Sequence, residues 1–309
     1  MNFDRPPNTN KTVEQAPKKD QKLEKFLKKV DFHLLKIIFD DYAKKSGVAP
    51  ADVNFLGPEK IFYKKGRGAH FSSNNTISMN ADITLDSAVG ISSGIPPDLL
   101  RLRNLIHEEV HAVSFRNSVK HSETESEYSS GYKSAKEVIT EKGNGVIQID
   151  EIHFFRLFDE AVTERLAREI TKRYLETHPE FTNAVSRNIY AHLDKNPNID
   201  IYQVEVDLLE ALIKRLSIET GLSQEMVWQG IIRSKLEGFS FFDDGMKELF
   251  DELVGPDFAI KLKSVNTLQG LRDLTKMIES APGASPTTSQ RIIRKTRDIF
   301  TSPKDRKHH

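Results

Sequence analysis

Apolar residues along this chain follow two rhythms: a spacing of three and four through most of its length, and alternation in short stretches. Residues 23–43 place Leu23, Phe26, Leu27, Val30, Leu34, Ile37, Ile38 and Phe39 on one side of a helix. After Pro96, Leu99, Leu102, Ile106, Val110 and Val113 recur at helical spacing to about Phe115, with Asp98 as the expected N-cap. Phe154, Phe158, Ala161, Val162, Leu166 and Ile170 mark another helix, running to about Leu175. Val204, Leu208, Leu209, Leu212 and Leu216 mark a further one that closes at Gly221, and Ser223 can cap its successor, which Gly238 ends. Helices are also expected at 244–254 and 267–279.

The alternating stretches read as strands. Residues 53–84 are β-rich, with turns at Gly57-Pro58 and Gly66-Arg67-Gly68, and Ile77, Met79, Ala81 and Ile83 alternate with polar neighbours. Residues 138–149, turning at Gly143-Asn144-Gly145, have the pattern of a β-hairpin. Between these, residues 120–134 are too hydrophilic to pack alone and are expected as a loop. The pattern divides the chain into a disordered arm (1–20), a mixed region (21–177), a helical lobe (178–280) and a basic, partly disordered tail (281–309) with a short helix near 288–300. The expected class is α+β: a small mixed sheet with one helix packed behind it, then a mainly helical C-terminal lobe.

Composition narrows the function classes. The 309 residues are 38% hydrophobic and 29% charged, with 45 acidic and 45 basic side chains. A neutral body gives no footprint for nucleic acid, and a basic tail is weak ground for one. No apolar run reaches the length of a membrane span, and the N-terminus lacks the apolar core of a signal peptide, so a cytoplasmic location is expected. The absence of cysteine removes disulfides and thiolate-bound zinc, leaving His, Asp and Glu as the metal-ligating types.

Those types cluster at His107-Glu108-Glu109-Val110-His111. On a helix, positions i and i+4 share a face, so both imidazoles can reach one ion. Glu108 then projects beside it, where a carboxylate can take a proton from water, as in the HExxH motif of zinc peptidases. Such a site needs a third protein ligand and one open position. Glu160 and Glu164, one turn apart beside the apolar stripe of the Phe158 helix, are placed to supply it. The competing reading is a solvated face in which they pair with Arg165 and Arg168.

HEEVH, with Glu160 of DEAVTE lying 49 residues beyond His111, resembles the gluzincins, the thermolysin-like group of zinc metallopeptidases. The resemblance implies one zinc ion per chain held by His107, His111 and Glu160, with Glu108 as general base. It implies that Glu164 hydrogen-bonds a ligand histidine, although this position is more often Asp in the family. It also implies a zincin-like sheet whose edge strand, upstream of the HExxH helix, receives an extended peptide; residues 75–84 look like that strand. A Tyr or His from the second lobe would complete the oxyanion site, with Tyr202, Tyr190 and His192 as candidates and Tyr202 preferred. The matches cover about residues 70–175, and the substrate would be a peptide or protein, general or dedicated. The alternative is a helical protein-interaction module with a degenerate, metal-free site. The other histidines receive no role, His153 being expected only to begin its helix. Trp228 and Phe241-Phe242 are expected as helix packing.

Overall fold

A computed structural model describes residues 20–64, 69–72, 74–79, 95–122, 124–141, 147–184, 187, 202–238, 244–283, 287 and 289–294. Residues 1–19, the turns at 66–68 and 143–145, the strand's continuation at 80–84, Tyr190, His192, Phe241-Phe242 and residues 295–309 lie outside this set.

The first helical stripe is two helices, α1 (Gln21–Leu27) and α2 (Phe32–Lys45), where the periodicity predicts one. Asp31 divides them: its carboxylate accepts the Leu34 amide at 2.9 Å and caps α2, as Asp20 caps α1. Strands β1 (Ile61–Tyr63), β2 (Ala69–Ser72) and β3 (Thr76–Met79) form a sheet of order β1-β3-β2, with β1 parallel and β2 antiparallel to β3. Residues 76–79 are therefore the middle strand rather than the expected edge; the edge strand next to the HEEVH helix is β2. Buried Ile77 and Met79 face the core, as their alternation predicts.

Helix α3 (Pro97–Val113) carries HEEVH and packs on β2 and β3, its Leu99, Leu102, Ile106, Val110 and Val113 buried. Its N-cap is Pro96, not Asp98, because Pro97 suits the first helical position. Asp98 instead pairs with Lys29 and Arg101. A four-stranded antiparallel meander follows: β4 (Arg116–Lys120), β5 (Glu125–Ser130), β6 (Lys133–Glu141) and β7 (Ile147–Phe154). The hairpin expected at 138–149 is present as β6 and β7, but the polar run at 120–134 is strand as well. Its residues are mostly half-exposed, so no buried face imposes an apolar alternation. Cross-strand polar pairs hold it, Lys136 to Glu125 at 2.7 Å and Ser126 to Glu137 at 3.1 Å.

His153 lies within β7, next to its last residue, rather than beginning a helix. Phe155, at φ 54°, turns the chain directly into α4 (Arg156–Thr177), its amide held by the Lys263 carbonyl at 2.9 Å. A bulky residue in the left-handed region is strained. Here it starts α4 without a linker and brings Asp159 into the first turn, with Glu160 just beyond it. The rest is helical: α5 (Gln203–Thr220), α6 (Gln224–Glu237), α7 (Asp244–Val254), α8 (Phe258–Ser264) and α9 (Leu268–Ser280). α8 is an addition to the expected set, too short to show a period. Residues 289–294 are helical and Ile292 is fully buried, so part of the expected tail belongs to the body. One hydrophobic core runs from Leu23 to Ile292, with Trp228 inside it. No helix among the described residues is long and apolar enough to cross a membrane.

Candidate metal centre

Three elements meet at the HEEVH turn. α3 presents His107, Glu108 and His111; α4 runs against it and presents Asp159, Glu160 and Glu164; Tyr202 stands at the start of α5. His107 Nε2 lies 3.2 Å and His111 Nε2 3.5 Å from Glu160 Oε2. One ligand atom from each of the three residues falls within 4.8 Å of the others. A tetrahedral ion bound at about 2.0–2.1 Å has donor–donor edges of roughly 3.3 Å, which these separations bracket. Two imidazole nitrogens and a carboxylate oxygen are also the donor set such an ion takes. The three residues fit a divalent metal ion. His111 and Glu160 remain partly exposed, so the fourth side opens to solvent.

The electrostatics of the free site point the same way. Burial alone would lower the His107 pKa, but hydrogen bonds to Glu160 and Glu164 outweigh it and raise the imidazole to about 10. Burial works against charge on Glu160 too, and the two imidazoles hold its carboxyl well below the usual range.

Each of these two histidines has a second carboxylate behind it. His107 Nδ1 lies 3.0 Å from Glu164 Oε2, which fixes the proton on Nδ1 and leaves Nε2 free to ligate. Glu164 is itself buried, and burial opposes its charge; Arg103, then His107 and Arg168, outweigh this and keep it ionised. Arg168 thus pairs with Glu164 as the solvated-face reading has it, yet in the interior. Arg165 turns away to Glu169, Glu210 and the Trp228 ring. His111 Nδ1 faces Asp159 Oδ2 at 3.5 Å.

Glu108 is buried, with Oε2 accepting the Phe71 amide of β2 at 2.6 Å. Tyr202 stacks on His107, ring centroids 5.2 Å apart and planes 15° from parallel. Burial, then the carboxylates of Glu160, Glu108 and Glu164, push its hydroxyl well above the usual range, so it stays a neutral donor.

The structure brings together His107, Glu108, His111, Glu160, Glu164 and Tyr202, every site residue singled out from sequence that lies in the described set. Sequence reasoning missed Asp159, Arg103, Phe71 and Lys235 as neighbours of the site. Asp159 had a signal, standing immediately before Glu160 in the same acidic pair. The others had none: Arg103 and Lys235 read as solvated helix positions, and Phe71 contributes a backbone amide, which no side-chain pattern marks. Comparison with protein-family models, curated proteins and solved structures finds no match in any of the three.

Proposed function

We propose that this protein is a zinc-dependent metallopeptidase of gluzincin type, with a zincin-like arrangement of sheet and HExxH helix. The observation that carries the reading is the convergence of His107, His111 and Glu160, from two separate helices, with Glu160 Oε2 3.2 Å and 3.5 Å from the two imidazole nitrogens and Glu108 alongside. A divalent ion held there would supply a Lewis acid that polarises a carbonyl and lowers the pKa of water towards neutrality.

The chain's own residues divide the remaining work. Glu164 and Asp159 orient the two imidazoles so that Nε2 of each faces the site. Glu108 takes the proton from the attacking water on its carboxylate and passes it to the leaving amine nitrogen. Tyr202, held neutral, donates its hydroxyl proton as a hydrogen bond to the carbonyl oxygen as negative charge develops. The outward edge of β2, whose Phe71 amide meets Glu108, offers backbone groups to an extended peptide. Zinc suits two histidines and a glutamate with an open fourth position.

The test is metal content of tag-free protein lacking the two terminal histidines, beside Glu160→Ala and Glu108→Gln. One zinc per chain is expected in the wild type and in Glu108→Gln, and none in Glu160→Ala. Peptide hydrolysis is expected to fall about 10²–10⁴-fold in Glu108→Gln. Wild type that neither carries nor takes up zinc at micromolar concentration would overturn the proposal and leave a helical interaction protein in its place.

A further inference from the structure

Lys235, on α6, is fully buried, and its ammonium donates to Asp159 Oδ1 at 2.5 Å. A buried ammonium is costly, and replacing a buried ion pair by well-packed apolar side chains is often neutral or stabilising. Packing alone therefore does not account for it. What the pair does is fix one carboxylate. Oδ1 takes both the ammonium and the Tyr132 amide, at 3.0 Å, which leaves Oδ2 facing Nδ1 of His111.

The surroundings are built to admit this arrangement. Gly131, at φ +59°, brings the β5–β6 turn so close that a Cβ there would stand 2.6 Å from Asp159 Oδ1 and 2.9 Å from Lys235 Nζ. The Gly131 amide donates to the Phe115 carbonyl at 2.8 Å, and the Phe115 amide to the Lys235 carbonyl at 3.0 Å. The Tyr132 hydroxyl donates to the Ile231 carbonyl at 2.7 Å. The end of α3, the turn and α6 are thus hydrogen-bonded around one buried pair. On the His107 side the cations that hold Glu164 come from α3 and α4 themselves. On the His111 side the cation comes from the helical lobe.

We infer that Lys235 is a positioning residue for the metal centre, which acts through Asp159 to set the orientation of His111 and hence metal affinity. This rests on the metal-site reading above. The test measures zinc affinity of the full chain by competition with a chromophoric chelator, and the visible absorption of the Co²⁺-loaded protein, which reports ligand geometry. Lys235→Met should weaken zinc binding about 10–100-fold and alter the Co²⁺ bands. Because Lys235 acts through Asp159, the double variant Lys235→Met/Asp159→Asn should bind within about twofold of Asp159→Asn alone. Unchanged affinity and spectrum in Lys235→Met, or a double variant that loses the product of the two single effects, would overturn the inference and leave the metal site standing. Should Lys235→Met fail to fold, Lys235→Gln takes its place: about tenfold weaker zinc binding than wild type with altered Co²⁺ bands supports the inference, and wild-type affinity and spectrum overturn it. A wild type without zinc overturns the inference together with the proposed function.

Discussion

Glu109, the middle residue of HEEVH, is fully buried and turned into the core, where one oxygen accepts the Leu56 amide at 3.1 Å. Its other oxygen has no partner among the described residues. Burial pushes the carboxyl well above its usual pKa, only partly offset by the Leu56 amide. The unfolded chain therefore releases this proton at lower pH than the folded one. Below the unfolded value of 4.5 both forms are neutral and no penalty exists; above it, folding is disfavoured by up to about 1.4 kcal/mol per pH unit until the folded group ionises. Glu109→Gln should match the wild type in urea denaturation at pH 4 and exceed it at pH 7, and a pH-independent gap would refute this account. Tyr202 acts at the same scale. Tyr202→Phe keeps the ring stacked on His107 and removes only the hydroxyl, so zinc content should hold while kcat falls about 10²-fold with little change in KM. Equal loss of metal and rate would make Tyr202 a packing residue.

At the scale of elements, the β5–β6 turn is an exacting contact beside the Asp159–Lys235 pair, because Gly131 has both a positive φ and no room for a side chain. Gly131→Ala should lower stability by about 2 kcal/mol or more, measured by denaturant unfolding, with zinc affinity falling beside it. A silent substitution would mean that the turn yields and the pair is not confined. The helices that hold the ligands were legible in sequence, because Leu99, Leu102, Ile106 and Val110, like Phe158, Val162 and Leu166, bury one face each. The meander was only half legible. β6 and β7 showed a period of two, whereas β4 and β5 bury almost nothing and were hidden by their own polarity. The break at Asp31 and the strand order were invisible for another reason: a capping side chain leaves the apolar spacing undisturbed, and pairing order is a long-range choice. Of the site, spacing nominated His107 and His111 on one helix and Glu160 and Glu164 on the other, and the gluzincin resemblance chose Glu160 between the two; the structure brings His107, His111 and Glu160 together. Lys235 could not be read from sequence, since nothing local distinguishes it from the exposed lysines of other helices.

For the whole molecule, a metal ion held by His107, His111 and Glu160 would tie α3 to α4, and one hydrophobic core joins both to the helical lobe. An ion that binds only the folded state stabilises it by RT ln(1 + [L]/Kd), about 2.7 kcal/mol at a hundredfold excess over Kd. A chelator should therefore lower the melting temperature of the wild type by several degrees and leave Glu160→Ala unmoved; an equal shift in both would place the ion elsewhere. The dependence of His111 on α6 also has a consequence in time. Lys235 follows Glu160 by 75 residues, and chains are made at about 5–20 residues per second. The nascent polypeptide accordingly contains His107, His111 and Glu160 for about 4–15 s before Lys235 is added to it. On the proposed reading, a growing chain carries an unfinished centre, and its full grip on metal would come only once the helical lobe has been made.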